Sequence, residues 1–100
     1  MRVGALVVDP GARTADLDGE PLDLTAREFD LLALLAANAP NVVSRPTMLD
    51  RIWRETTDVH PNIVDVYIGH LRRKIDEGQD TKLIRTVRGL GYMLDGDHAQ

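Results

Sequence analysis

The spacing of apolar residues changes several times along the chain, and each change predicts an element. Over residues 2–24 short apolar runs are separated by turn signals. Arg2–Asp9 is β-branched and ends at Asp9-Pro10-Gly11, residues 12–17 alternate, Asp18-Gly19 is a hairpin signal, and residues 20–24 follow. Three or four short antiparallel strands are predicted, with Pro21 at an edge or strand start because it cannot donate to a ladder. Thr25-Ala26-Arg27-Glu28 reads as a capping box opening a helix that runs to about Asn38. Phe29, Leu32, Ala33 and Ala36 form one face, widened by Leu31, Leu34 and Leu35, so this helix is expected to be largely buried. Residues 38–41 stop it, and Val42 and Val43 suit a brief strand or extended connection. Ser44 caps a shorter helix, Arg45 to about Trp53, with Pro46 tolerated in its first turn.

A polar loop, residues 54–59, precedes Pro61, which favours the start of a third helix over about 61–77. Val64, Tyr67, Ile68, Leu71 and Ile75 recur on its apolar face. The other side carries Asn62, Val66, Gly69, His70 and Arg73, with Arg72, Arg73 and Lys74 as a basic end. Gly78 suits a left-handed cap, whereas Asp76 and Glu77 oppose the helix dipole. Residues 83–94 alternate around Arg88-Gly89-Leu90-Gly91 as a hairpin, with Gly89 and Gly91 supplying backbone angles that other residues resist. The final six residues read as a frayed end. The order is sheet, helix, helix, loop, helix, hairpin, within one α+β domain over residues 1–100. Two helices at a short connection, the second basic and amphipathic, suggest helix-turn-helix geometry with the hairpin as a wing. Arg88 at its tip suits a minor groove, and Lys82 and Arg85 suit phosphates.

Composition narrows the function. The hydrophobic share is 43% and the charged share 28%, ordinary for a soluble globular chain. Without cysteine there are no disulfides, thiolate chemistry or cysteine zinc sites. His60, His70 and His98 lack metal-ligand spacing. No Ser-His-Asp or paired-carboxylate arrangement stands out, so neither an enzyme, a cofactor nor a metal site is expected. No signal peptide or apolar run of about 18 residues occurs, and a cytoplasmic protein without a membrane partner is the expectation. A net charge of −4 argues at first against nucleic acid. Yet residues 72–88 hold six cations and three acids, a local +3, and phosphate contact depends on local potential.

Several motifs together carry a resemblance. Leu24-Thr25-Ala26-Arg27-Glu28-Phe29-Asp30-Leu31-Leu32, Val43-Ser44-Arg45, Leu49-Asp50-Arg51-Ile52-Trp53, Val64-Asp65-Val66-Tyr67-Ile68, Leu71-Arg72-Arg73-Lys74-Ile75 and Ile84–Tyr92 resemble the C-terminal effector domain of OmpR/PhoB-type response regulators. The resemblance implies a winged helix: a four-stranded antiparallel N-terminal sheet, three helices and a C-terminal hairpin. It implies sequence-specific binding of double-stranded DNA for transcription regulation in a two-component system, by two protomers in tandem on a direct repeat. By position, Asn62, Ile63, Val66, His70 and Arg73 match the groove-facing set. Trp53, Arg72 and Thr86 match backbone contacts, and Arg88 is the wing arginine. Arg54, Glu55, Thr56, Thr57 and Asp58 match the loop that meets RNA polymerase. A sensor kinase would act only through a receiver domain, which these residues do not include. The chain departs where many members carry arginine at Asn62, Gly69 and His70, and threonine at Ile63. Fewer cations mean fewer counterions released and less salt-sensitive binding. Protonation of His70 would add a phosphate contact, so modestly tighter binding at about pH 6 than at about pH 8 is expected. The rival expectation is a winged-helix protein-interaction module, which the overall acidity favours.

Overall fold

The computed structural model describes residues 1–96. His98 and most of the expected frayed end lie outside the described residues. The N-terminal part is a four-stranded antiparallel sheet, β1 (Arg2–Val3), β2 (Leu6–Asp9), β3 (Thr14–Leu17) and β4 (Glu20–Pro21), in sequential order. The stretch Arg2–Asp9, read above as one strand, is a hairpin instead, pairing Arg2 with Val7 and Val3 with Leu6. Gly4 makes the reversal possible: its φ is +58°, in the left-handed region that side chains disfavour. Pro21 lies on the edge strand, where its missing N–H costs no ladder bond.

Helix α1 (Ala26–Asn38) begins with the capping box in place. The Glu28 N–H donates to Thr25 Oγ1 at 3.2 Å and the Thr25 N–H to Glu28 Oε1 at 2.9 Å. Helix α2 (Arg45–Trp53) is capped by Ser44, whose Oγ accepts the Thr47 N–H. Helix α3 (Ile63–Ile75) is shorter than the expected 61–77. Pro61 and Asn62 lie in the preceding turn. At the other end the amides of Asp76 and Glu77 both close on the Arg72 carbonyl, and Gly78 takes the left-handed φ of +81°.

The second sheet has three strands in the order β5 (Val43–Ser44), β7 (Gly91–Leu94), β6 (Ile84–Val87). The hairpin is therefore joined by the segment just before α2. Gly91 is needed for a reason other than backbone angle, because only Gly89 of the pair has positive φ. A Cβ on Gly91 would stand 2.1 Å from the Val43 carbonyl oxygen. Close strand approach, not conformation, excludes a side chain there.

Helix α1 lies against α2, α3 and β7. Leu6 and Val8 from the first sheet, Leu31, Leu32 and Leu35 from α1, Met48 from α2, Val64, Ile68, Leu71 and Ile75 from α3, and Leu94 from β7 are all fully buried. Each such side chain stabilises the fold by about 1.5–3 kcal/mol through burial. Over this core α3 is bonded to both strands of the hairpin, through Arg72 to Thr86 and through Asp65 to Tyr92. No helix among the described residues is long and apolar enough to cross a membrane.

Candidate nucleic-acid interface

Core packing decides which side of α3 faces outward. Val64, Ile68, Leu71 and Ile75 are buried, leaving Asn62, Val66 and Arg73 exposed. Val66 is a large apolar residue left 43% exposed. Ile63, Gly69 and His70 are half-buried. Asn62 occupies the N-cap position without a capping side-chain bond; its backbone N–H donates to His60 Nδ1 at 3.1 Å. The Asn62 amide group is thus free of intrahelical duty. His70 turns toward α1, with its ring 5.2 Å from that of Tyr67 and Nδ1 3.6 Å from Glu28 Oε2. Of the expected groove-facing set, Asn62, Val66 and Arg73 project together, Ile63 sits at their margin, and His70 leans away.

The wing extends beside this helix. Its tip bears Arg88, Gly89 at φ +78° and Leu90, which is 60% exposed. Thr86 is exposed on β6, where its Oγ1 accepts from Arg72 at 2.7 Å; the same guanidinium donates to the Ile84 carbonyl at 3.3 Å. Two expected backbone contacts, Arg72 and Thr86, are therefore bonded to each other. Trp53 is buried, its ring edge-on to Tyr67 at 5.2 Å, with the Arg27 guanidinium 5.8 Å away. No buried side-chain nitrogen or oxygen among the described residues lacks a partner, so the indole N–H, which has none within the chain, reaches solvent.

A polar cluster ties these parts together. Arg45 at the start of α2 donates to Asp65 Oδ1 at 2.9 Å and to the Tyr92 hydroxyl at 3.3 Å, and that hydroxyl donates to Asp65 by a short hydrogen bond. The Tyr92 bond and the Arg45 charge hold the Asp65 carboxyl below the usual carboxylate range. Burial and the Asp65 carboxylate push the Tyr92 hydroxyl up. Asp65 thus has a pairing role.

The matches to known proteins agree with this geometry. The family described as transcriptional regulatory protein, C terminal, matches residues 19–94. The chain belongs to this family. Its sequence is 47% identical over 94 residues to the transcriptional regulatory protein PrrA of Mycobacterium tuberculosis, a match covering 94% of this chain and 40% of that protein. The Thermotoga maritima OmpR/PhoB homologue DrrB has the same fold, with a TM-score of 0.84, 34% identity, and coverage of 96% of this chain and 44% of that one. The Klebsiella pneumoniae RstA DNA-binding domain, solved in complex with the RstA box, matches with a TM-score of 0.82, 34% identity and 96% coverage of both chains. The chain spans about two fifths of the length of the curated relatives it matches.

Within this OmpR/PhoB-type winged helix, few of the cations in residues 72–88 are free. Lys74 donates to Glu28 Oε1 and to the Asp23 carbonyl, both at 2.7 Å. Lys82 caps the end of α3, donating to the carbonyls of Asp76 at 2.8 Å and Gln79 at 2.7 Å. Arg85 faces Asp95 at 3.6 Å. Two of the three ammonium donors of Lys82 are thereby engaged by backbone carbonyls, while its side chain is exposed. Among the described residues, Arg73 and Arg88 are the two cations of this stretch without a partner. Asp76, read from sequence as a dipole conflict, is 5% exposed and accepts the amides of Leu83 at 2.8 Å and Ile84 at 3.1 Å. That conflict with the dipole was the signal of a partner beyond the helix.

The loop residues bond to α1 and α2. Arg54 pairs with Asp50 at 2.9 Å, Thr56 Oγ1 accepts from Arg27 at 3.2 Å, and Asp58 takes φ +60°. Glu55 and Thr57 are exposed.

Glu28 joins α1 to α3 and is only 4% exposed. Burial pushes its carboxyl up, but hydrogen bonds from Lys74 and the Thr25 amide, with the Lys74 and His70 charges, bring it below its ordinary value. Depressed carboxyls stabilise the fold fully above their unfolded values of about 4, and that stability is lost as pH falls through the folded values. Thermal melts should therefore be flat from about pH 7 to about pH 5 and fall steeply below about pH 4. Glu28→Gln should lower the plateau and flatten the acid limb; an acid limb of wild-type steepness would contradict the assignment.

Proposed function

We propose that this domain binds double-stranded DNA sequence-specifically for transcription regulation, with α3 in the major groove and the wing at the minor groove. The observation that carries this reading is the exposure of Asn62, Val66 and Arg73 on α3, a helix bonded to the wing through Arg72 and Thr86, with Arg73 and Arg88 left without partners among the described residues. Asn62 has the bidentate donor and acceptor for an adenine edge, and Val66 with Ile63 offers apolar contact to a thymine methyl. Arg73 neutralises a phosphate or reads a guanine, and Arg88 enters the narrow groove, where negative potential favours arginine. Trp53 contributes its solvent-reaching N–H to a phosphate, as do the remaining donors of Arg72 and Thr86. His70 sits at the edge of this surface and contributes only if its ring turns from Glu28. Two copies in tandem on a direct repeat suit the reading, as does contact of RNA polymerase with residues 54–58. Regulation by a sensor kinase would run through a receiver domain outside these residues.

Selection of bound sequences from random duplexes tests the proposal, repeated with Asn62→Ala and Arg88→Ala. Asn62→Ala should erase preference at one base position, about 1–3 kcal/mol of discrimination, while Arg88→Ala weakens all sequences alike. The two cations of residues 72–88 without a partner among the described residues, Arg73 and Arg88, should together make affinity fall about tenfold per protomer between about 50 and about 200 mM salt. A domain making six to ten phosphate contacts loses roughly a thousandfold or more over that range. No enriched motif at any salt would favour the rival reading, a protein-interaction module.

A further inference from the structure

The Tyr92 ring lies close to two guanidiniums from two different helices. The Arg45 guanidinium of α2 lies 4.9 Å from the ring centroid and that of Arg72 in α3 lies 5.5 Å from it. The Tyr92 hydroxyl bonds Asp65 of α3, which is itself bonded to Arg45. On the other strand, Arg72 holds Thr86 and the Ile84 carbonyl. Helix α3 therefore grips both strands of the wing, β7 through Tyr92 and β6 through Thr86.

Stability alone does not account for this arrangement. Arg45 and Asp65 are each partly exposed, with side chains at 38% and 42%, and solvent-reached pairs add little to stability. Their effect is on geometry. A four-residue hairpin reaches about 13 Å from its base, so a hinge of about 10° there moves the tip by about 2 Å. A shift of that size separates a seated arginine from one outside hydrogen-bond reach.

We propose that Tyr92, held by Asp65 and Arg45, is a positioning residue that fixes the angle between the wing and α3, so that Arg88 and the α3 face engage adjacent grooves at once. The proposal rests on the DNA reading above and specifies how its two contact elements are coupled. With the angle fixed, the second contact is intramolecular and forms without a further ordering cost.

The test is a double-mutant cycle on the whole chain, with Tyr92→Phe and Arg88→Ala, using the duplex selected by the wild type. Affinities are read at a temperature where circular dichroism shows all four proteins folded. Arg88→Ala should cost about tenfold in the wild type and only about twofold in Tyr92→Phe, because an unfixed wing no longer delivers the arginine. Asp65→Ala, which leaves Tyr92 whole but removes its acceptor, should show the same non-additivity. Equal Arg88→Ala penalties in both backgrounds would overturn the positioning role and leave Tyr92 a fold residue only. A second measurement needs no DNA: spin labels at Val66→Cys and Arg88→Cys should give a distance distribution that broadens on adding Tyr92→Phe. An unchanged width overturns the proposal, whereas a wild type that binds no duplex overturns the DNA reading itself.

Discussion

Asp76→Ala should destabilise the domain by about 3 kcal/mol, an effect out of proportion to one residue at a helix end. Its carboxylate accepts the amides of Leu83 and Ile84, both of which belong to buried residues. Alanine offers neither amide an acceptor, and each buried donor left unmet costs about 1–3 kcal/mol. For a chain of this size the melting temperature should fall by roughly 12–24 °C. Asp76→Asn keeps one acceptor oxygen and should recover about half of the loss. Calorimetry of the three proteins checks the expectation; an Asp76→Ala protein melting within about 4 °C of wild type would show the amides satisfied elsewhere.

Gly91→Ala should cost at least as much, by a different route. The added methyl would lie 2.1 Å from the Val43 carbonyl oxygen and 2.9 Å from the Ser44 Cα. Both atoms are backbone, so no side chain can swing aside and β5 itself must move. Overpacking of this kind costs about 3 kcal/mol or more. Since Ser44 also caps α2, the displacement reaches the helix that precedes α3. Gly89→Ala provides the contrast: its site is open but its φ is +78°, so only the left-handed penalty of about 1–2 kcal/mol applies. Urea unfolding of the two variants separates the causes. Equal losses would mean that conformation, not strand approach, governs Gly91.

Much of the architecture was legible in the sequence, for local reasons. The Thr25–Glu28 box, the Ser44 cap and the 3.6-residue repeat of α3 each declare themselves within one or two turns. The motifs shared with OmpR/PhoB-type effector domains supplied the sheet, the wing and their order. What stayed hidden depends on partners far along the chain. Gly4 breaks Arg2–Asp9 into a hairpin, yet its neighbours read as an uninterrupted strand because all are apolar or β-branched. Asp76 conflicts with its own helix and is explained only by amides seven and eight residues on. Lys74 belongs to the basic end of α3 by sequence, but its ammonium points back to Glu28, 46 residues earlier. The candidate interface was read less completely than the fold for the same reason. A list of cations does not say which ones the fold has already paired.

That pairing bears on how the domain would find a site among many. Proteins that slide along DNA are held by a sequence-independent cloud of phosphate contacts. Here Lys74 and Arg85 face carboxylates of their own chain, and the whole carries a net charge of −4. On the reading proposed above, non-specific residence is brief, and encounter lacks the electrostatic acceleration that lifts association above about 10⁵–10⁶ M⁻¹s⁻¹. The search then proceeds by repeated three-dimensional collisions rather than by one-dimensional diffusion, and occupancy of a site is set by local protein concentration more than by the length of flanking DNA.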